Sequence, residues 1–173
     1  MQNESRPPND DKSPAGASHS HFEKFLARNV PAHGVYRRLN RSTVVFLTIC
    51  TRDRRPYLAC DPIHELLIKV WTDADKWLVG RYVIMPDHIH LFASPASREF
   101  SFDSWVRFWK SQFTRQVKLV EHRWQTDHWD RTLRDGESYQ EKWNYVRENP
   151  VRLGLASVAD DWPYQGELNY LPW

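Results

Sequence analysis

Residues 77–95 read WLVGRYVIMPDHIHLFASP. Two runs rich in β-branched, aromatic and aliphatic residues flank Pro86-Asp87, so the stretch predicts two strands joined by a short turn, or one long strand kinked there. Side chains alternate along a strand, so His88 and His90 share one face while Ile89 and Leu91 share the other. Two imidazoles on one face stand close enough to bind a single ion, and they are costly if buried without partners. A bare His-x-His pattern is more often a pair of hydrogen-bonded histidines. Any further meaning has to come from the rest of the chain.

Working outward, STVVFLTICT (42–51) has the composition of a strand buried on both faces, and the Arg-rich RDRRP after it reads as a loop. In DPIHELLIKVWTDADKW (61–77), Asp61 is a candidate N-cap and Pro62 suits a first helical position. Ile63, Leu66, Leu67, Val70, Trp71 and Ala74 then recur at helical spacing. A second helix is expected over 101–120, with Trp105, Val106, Trp109, Phe113, Val117 and Val120 on one side and Arg107, Lys110, Ser111, Thr114 and Lys118 opposite. Such a face carries phosphate-binding groups as readily as it carries ordinary solvated charge. Asp135-Gly136 reads as a turn, and Ser138-x-x-Glu141 as a capping box opening a third helix that should stop near Asn149, before Pro150. Tyr139, Trp143 and Val146 form its packing stripe. The last residues, DWPYQGELNYLPW, are aromatic and Pro-rich and are expected to pack as irregular structure; no internal repeat is visible.

The chain has 173 residues, 40% hydrophobic and 14% aromatic, which suits one domain with a substantial core. Residues 1–20 combine Pro, Ser, Asn, Asp and Gly and read as a disordered arm preceding a single domain over 21–173. No apolar run is long enough to span a bilayer and the N-terminus lacks the order of a secretory signal, so a cytoplasmic protein with no membrane partner is expected. Cys50 and Cys60 match neither a Cys-x-x-Cys nor a zinc spacing and read as buried thiols. Net charge is only +2, but residues 31–60 hold six Arg against one Asp and residues 101–125 hold five Lys/Arg against two acids. Two basic windows with interspersed aromatics suit a nucleic-acid surface, although solvated charge has the same composition.

Two histidine nitrogens do not complete a catalytic site, and the third helix offers what is missing. Asn149 can donate a carbonyl oxygen, and imidazole plus oxygen with open positions fits Mg²⁺ or Mn²⁺ without excluding softer metals. Tyr145, four residues earlier and therefore on a neighbouring face, can aim a hydroxyl at a phosphate held there. Taken singly, Tyr145 also reads as a core-edge tyrosine and Asn149 as a helix terminus before proline.

As an ordered set, VIMPDHIHLFASP (83–95), FWKSQFTRQV (108–117), WQTDHWDRTLRDGESYQEKWNYVRENPVRLGL (124–155) and DWPYQGEL (161–168) resemble the single-tyrosine HUH transposases, and more closely the REP-associated tyrosine transposases. The resemblance runs from about Thr43 to Leu168. It implies an α+β fold, an antiparallel sheet flanked by helices of the ferredoxin-like HUH type, with the histidine pair on a central strand and the tyrosine on a helix. It implies His88 and His90 as metal ligands with Asn149 as the third, where related insertion-sequence enzymes carry glutamine, and Tyr145 as nucleophile. The chain departs from the family at Trp129 and Arg131, where Phe or His is commoner.

The resemblance further implies metal-assisted cleavage and rejoining of single-stranded or hairpin DNA through a 5′-phosphotyrosine intermediate, with a homodimer as a possible active unit. Arg52, Arg54, Arg55, Arg107, Lys110 and Lys118 are the candidate backbone contacts. Two other readings stay open: a hairpin-binding regulator of the same fold without activity, and a metal-dependent phosphodiesterase that uses water as nucleophile.

Overall fold

A computed structural model of the chain describes residues 43–97, 99–117, 122–133 and 139–171. The disordered arm expected over residues 1–20, the Asp135-Gly136 turn, the Ser138 cap, Lys118 and Val120 lie outside them. In chain order the elements are β1 (Val45–Cys50), a 3₁₀ turn (Arg52–Arg54), α1 (Asp61–Asp73), β2 (Trp77–Ile84), β3 (His88–Pro95), α2 (Phe102–Val117), β4 (Trp129–Thr132), α3 (Tyr139–Arg147), α4 (Asn149–Arg152), a second 3₁₀ turn (Ala159–Asp161) and β5 (Gln165–Glu167). The strands form one sheet in the order β4-β1-β3-β2-β5, antiparallel throughout.

The first six long elements follow β-α-β-β-α-β, and their strands take the order 4-1-3-2 of a ferredoxin-like sheet. The α1 connection carries the chain from β1 across β3 to β2, and α2 carries it from β3 across β1 to β4. Both helices therefore lie on one face. Pro86-Asp87 is the tip of a tight hairpin, closed by the Met85 N–H donating to the His88 carbonyl at 2.8 Å, which excludes the kinked single strand. α1 begins one residue earlier than its sequence suggests. Cys60 takes the extended cap geometry, and the Asp61 carboxylate bonds the Tyr164 hydroxyl instead of capping. The two cysteines are free and half-buried rather than buried.

Alternation divides the sheet into two apolar layers. Val45, Leu47 and Ile49 of β1 and Ile89, Leu91 and Ala93 of β3 face α1 and α2, where Trp71, Trp105, Trp109 and Phe113 complete the core. Val44, Phe46, Val83, Met85 and Phe92 face the other way, toward Val146 of α3, Trp162 and Leu171. In β2 the register shifts between Val79 and Tyr82, so the residues that meet the α1/α2 layer change from Trp77 and Val79 to Tyr82 and Ile84. That bulge inserts the extra residue that lets Arg81 turn toward α3.

Gly80 sits in the bulge, and a Cβ there would stand 2.6 Å from Leu171 Cδ1 and 3.1 Å from the Tyr139 hydroxyl. Gly80→Ala should therefore cost about 1–3 kcal/mol through overpacking where α3 and the final residues meet β2. Denaturant unfolding of the variant checks this, and an unchanged midpoint would show that the contact relaxes freely.

Candidate active site

The histidines lie on the α3 side of the central strand β3, 5% exposed each, with ring centroids 4.8 Å apart. Each ring is held by a partner the sequence did not single out. His88 Nδ1 lies 2.6 Å from Asp87 Oδ1. Burial pushes the Asp87 carboxyl up, but the His88 hydrogen bond and charge and the Arg54 guanidinium outweigh it and hold it below the ordinary carboxylate range. An ionised carboxylate only accepts, so His88 Nδ1 carries a proton and donates to Asp87, which leaves Nε2 as the ring position able to face a cation. His90 Nδ1 lies 2.8 Å from Thr48 Oγ1, its register partner in β1, and the ring stacks on Phe46 at 5.5 Å.

His90 Nε2 is buried and has no hydrogen-bond partner among the described residues. Burial drives this imidazole well below its usual range, and the neighbouring His88, Arg54 and Arg152 charges act in the same direction. The Thr48–His90 contact fits either tautomer; in the one that donates from Nδ1 to the Thr48 hydroxyl, a neutral ring leaves a buried Nε2 lone pair unused, which is the state in which histidine binds a cation. The donor set thus fits a divalent ion. Among the described residues no group of three or more His, Cys, Asp or Glu gathers to hold one, so a third ligand from these residues has to be of another kind.

α3 docks on the histidine face through Val146, which is buried, and through Tyr139 and Trp143, whose rings meet Phe92 at 4.6 and 6.5 Å. Arg81 fastens it further: its guanidinium lies over the Tyr139 and Trp143 rings and bonds Gln140 Oε1 at 2.7 Å. The helix breaks at Glu148, and Pro150 falls in the first turn of α4. Tyr145 is 49% exposed at the end of α3, and Asn149 opens α4.

Arg152 ties these two together. It donates to the Tyr145 carbonyl and, at 2.7 Å, to Asn149 Oδ1, while its guanidinium lies 4.4 Å from the centre of the Tyr145 ring. The His90 ring feels the same guanidinium's charge, which relates the α3–α4 corner to the histidine pair. Arg152 carries no helical or strand signature that would mark it in the sequence; its three-residue spacing from Asn149 is the one available cue.

The candidate backbone contacts separate into different roles. Arg54 forms a 2.8 Å ion pair with Asp87 and bonds Cys50 Sγ, so it supports the His88 ring. Asp53 and Arg54 both take left-handed backbone conformations, φ 57° and 54°, a strain of about 1–3 kcal/mol each. The Thr51 N–H donates to the Asp87 carbonyl at 2.9 Å, and the single proton of the Thr51 hydroxyl is shared between the Arg55 and Asp87 carbonyls, which pins this turn to the β2–β3 hairpin. Lys110 Nζ donates to the Gln125 carbonyl at 2.7 Å and holds the loop before β4. Arg55 and Arg107 are exposed, Arg52 lines a groove beside α2, and Lys118 lies outside the described residues.

No family model matches the chain. It is 30% identical over 122 residues to the REP-associated tyrosine transposase of Escherichia coli K12, a match covering 69% of this chain and 73% of that protein. Among solved structures it is similar to a REP-associated tyrosine transposase bound to a REP hairpin, with a TM-score of 0.61 and 28% identity, covering 76% of this chain and 81% of that one. Relatedness over more than two thirds of each chain, on the same antiparallel α+β plan, places this protein in a family: it belongs to the REP-associated tyrosine transposases.

Proposed function

We propose that the chain binds hairpin DNA and cleaves and rejoins a single strand beside it through Tyr145. The observation that carries the reading is the buried, unpartnered Nε2 of His90 beside His88, on the sheet face that also receives the tyrosine helix. His88, His90 and Asn149 would hold a divalent cation, Mg²⁺ or Mn²⁺. When bound, the cation supplies Lewis-acid polarisation of the scissile phosphate.

The chain's own residues do the rest. Asp87 and Thr48 fix the two ring orientations, so the Nε2 acceptors need no reorganisation when loaded. The Tyr145 hydroxyl oxygen attacks phosphorus, its proton passing to solvent. The bond to the 3′-oxygen breaks, leaving a 3′-hydroxyl and a 5′-phosphotyrosine. Attack by a second 3′-hydroxyl reverses the step and joins the ends with no other energy source. The half-exposed position of Tyr145 suits a group that must meet a polymer.

Arg152 is the positioning residue in this scheme, orienting the tyrosine ring and the asparagine oxygen together. Arg152→Ala is expected to slow adduct formation at saturating hairpin by about 10–100-fold with little change in hairpin affinity. Lysine should not restore the rate, because a point charge lacks the planar, two-way donor set. Equal rates in both variants and the parent would remove Arg152 from the scheme.

Incubating the protein with a labelled hairpin carrying a single-stranded flank, with Mn²⁺ present, tests the function directly. The expected product is a covalent protein–DNA adduct with an equal yield of free 3′-hydroxyl ends. Tight binding with no adduct would favour the silent regulator, and hydrolysis without an adduct would favour the water-using phosphodiesterase. A protein acting on genomic hairpins is expected in the cytoplasm, where DNA is available. Among the described residues no helix is long and apolar enough to cross a membrane.

A further inference from the structure

α3 turns two flanks to the sheet. One carries Tyr139 and Trp143, which meet Phe92 of β3 and the Arg81 guanidinium of β2. The other carries Lys142, whose Nζ lies 5.8 Å from the centre of the Phe46 ring of β1. Phe46 is the ring on which the His90 imidazole stacks, at 5.5 Å and 20°. Lys142 is half-buried there, so a cation stands on the histidine face one ring away from His90. Residues three apart on a helix are neighbours, so Tyr145 follows Lys142 one turn further along the same flank.

We infer that Lys142 is a further catalytic residue, whose ammonium meets the non-bridging oxygens of the phosphate that Tyr145 attacks. The inference rests on the DNA-cleavage reading above and adds a cation that comes with the tyrosine helix rather than with the histidines. Attack forms the bond from the Tyr145 hydroxyl oxygen to phosphorus, releases the phenol proton to solvent and breaks the bond to the 3′-oxygen. Loss of that proton leaves the group in transfer more negative than the bound diester. A cation aimed at the added charge therefore binds the transition state better than the ground state, which is what lowers a barrier. Lysine suits the task, because its stem can pack on Phe46 while its compact charge follows the phosphate.

The other cations around the histidines hold the protein together. Arg54 pairs with Asp87, Arg152 bonds Asn149 and the Tyr145 carbonyl, and Arg147 pairs with Asp160 of the second 3₁₀ turn. Arg81 lies on the opposite flank of α3 and pairs with Glu167. Among the described residues Lys142 combines the tyrosine's flank with contact to the ring that packs His90. The competing role for a lysine in this place is a cover over Phe46, its stem shielding apolar surface. Substitution separates the two: methionine keeps an unbranched stem without charge, alanine removes both, and arginine keeps the charge.

The test follows single-turnover adduct formation by the full chain on a labelled hairpin with a single-stranded flank, at saturating DNA and with Mn²⁺ in excess. K142M and K142A are each expected to slow the step by about 10–100-fold, and K142R to run at least about fivefold faster than K142M. Hairpin affinity, which rests on many other phosphates, should stay within about threefold of the parent. The K142M melting temperature should stay within about 2 °C of the parent. K69A, on α1 across the sheet, should match the parent throughout. K142M at the parent rate would overturn the assignment, and beside a slow, less stable K142A it would give Lys142 to packing. K142R no faster than K142M would overturn it as well, since charge would not be what counts. The nucleophile and the lysine can fail separately. An active parent that K142M equals refutes only Lys142. A parent that cleaves without adduct refutes only the tyrosine, and the same rate ratios, taken on cleavage, still decide Lys142. A parent that neither forms adduct nor cleaves refutes both.

Discussion

Tyr145→Phe is expected to reduce covalent adduct to background, a loss of at least about 10³-fold; in enzymes with a nucleophilic side chain, deletion of that group costs up to about 10⁶-fold. The substitution removes one oxygen and keeps the ring on which the Arg152 guanidinium rests. Because the side chain is half exposed, stability should change by no more than about 0.5 kcal/mol, and hairpin affinity should follow the parent. A gel-shift, a thermal melt and a denaturing gel on the same preparation separate the three quantities. Cleavage that persists in Tyr145→Phe would transfer the nucleophile to water and sink the tyrosine mechanism, whereas an adduct that persists would move the nucleophile to another residue.

Replacing the buried imidazole with an aliphatic side chain is expected to abolish the response to metal while sparing the fold. The informative variant is His90→Leu combined with Thr48→Val, since the two side chains are each other's partner and removing one alone leaves the other unsatisfied. In the parent, Mn²⁺ at about a hundred times its dissociation constant should add about 2.7 kcal/mol of stability by mass action. In the double variant that increment should vanish. Without metal the double variant should be as stable as the parent or more so, because an unpartnered buried nitrogen that costs about 1–3 kcal/mol has been replaced by a packed aliphatic group. Equal Mn²⁺ stabilisation of parent and variant would remove His90 from the metal site. A metal-free variant that fails to fold would assign the ring to packing instead.

Much of the architecture was legible because its signals are local. The β-branched density of 42–51, the turn at Pro86-Asp87 and the 3.6-residue periodicity of the helices are visible in windows of a dozen residues, and β1 to β3, α1 and α2 follow them. β4 was not expected, and β5 corrects the irregular tail, because strands of four and three residues are too short to carry a pattern and form only by pairing with β1 and β2. The boundaries are less so: Asp61 looks like a cap in isolation, yet its carboxylate is drawn to Tyr164, more than a hundred residues away. The bulge at Gly80-Arg81 was hidden for a similar reason. Its single extra residue makes sense only once Leu171 and Tyr139 are packed against it.

The chemistry divides along the same line. Sequence alone determined that His88 and His90 share a face, because strand alternation is a property of the backbone; it also placed Tyr145 and Asn149 on one helix running to about Asn149, whereas the structure breaks that helix at Glu148, so Asn149 opens a separate turn ahead of Pro150. Sequence could equally name Arg52, Arg54 and Lys110 as basic residues, but not their roles. Tertiary structure decided that Arg54 supports Asp87, that Lys110 ties down a loop, and that Arg52 joins Arg115 and Arg123 in one groove. It also supplied Thr48 and Arg152, whose importance depends on what stands opposite them. The physical reason is range: backbone geometry sets which side chains share a face within a few residues, whereas hydrogen bonds, ion pairs and burial depend on residues that only the folded sheet brings together.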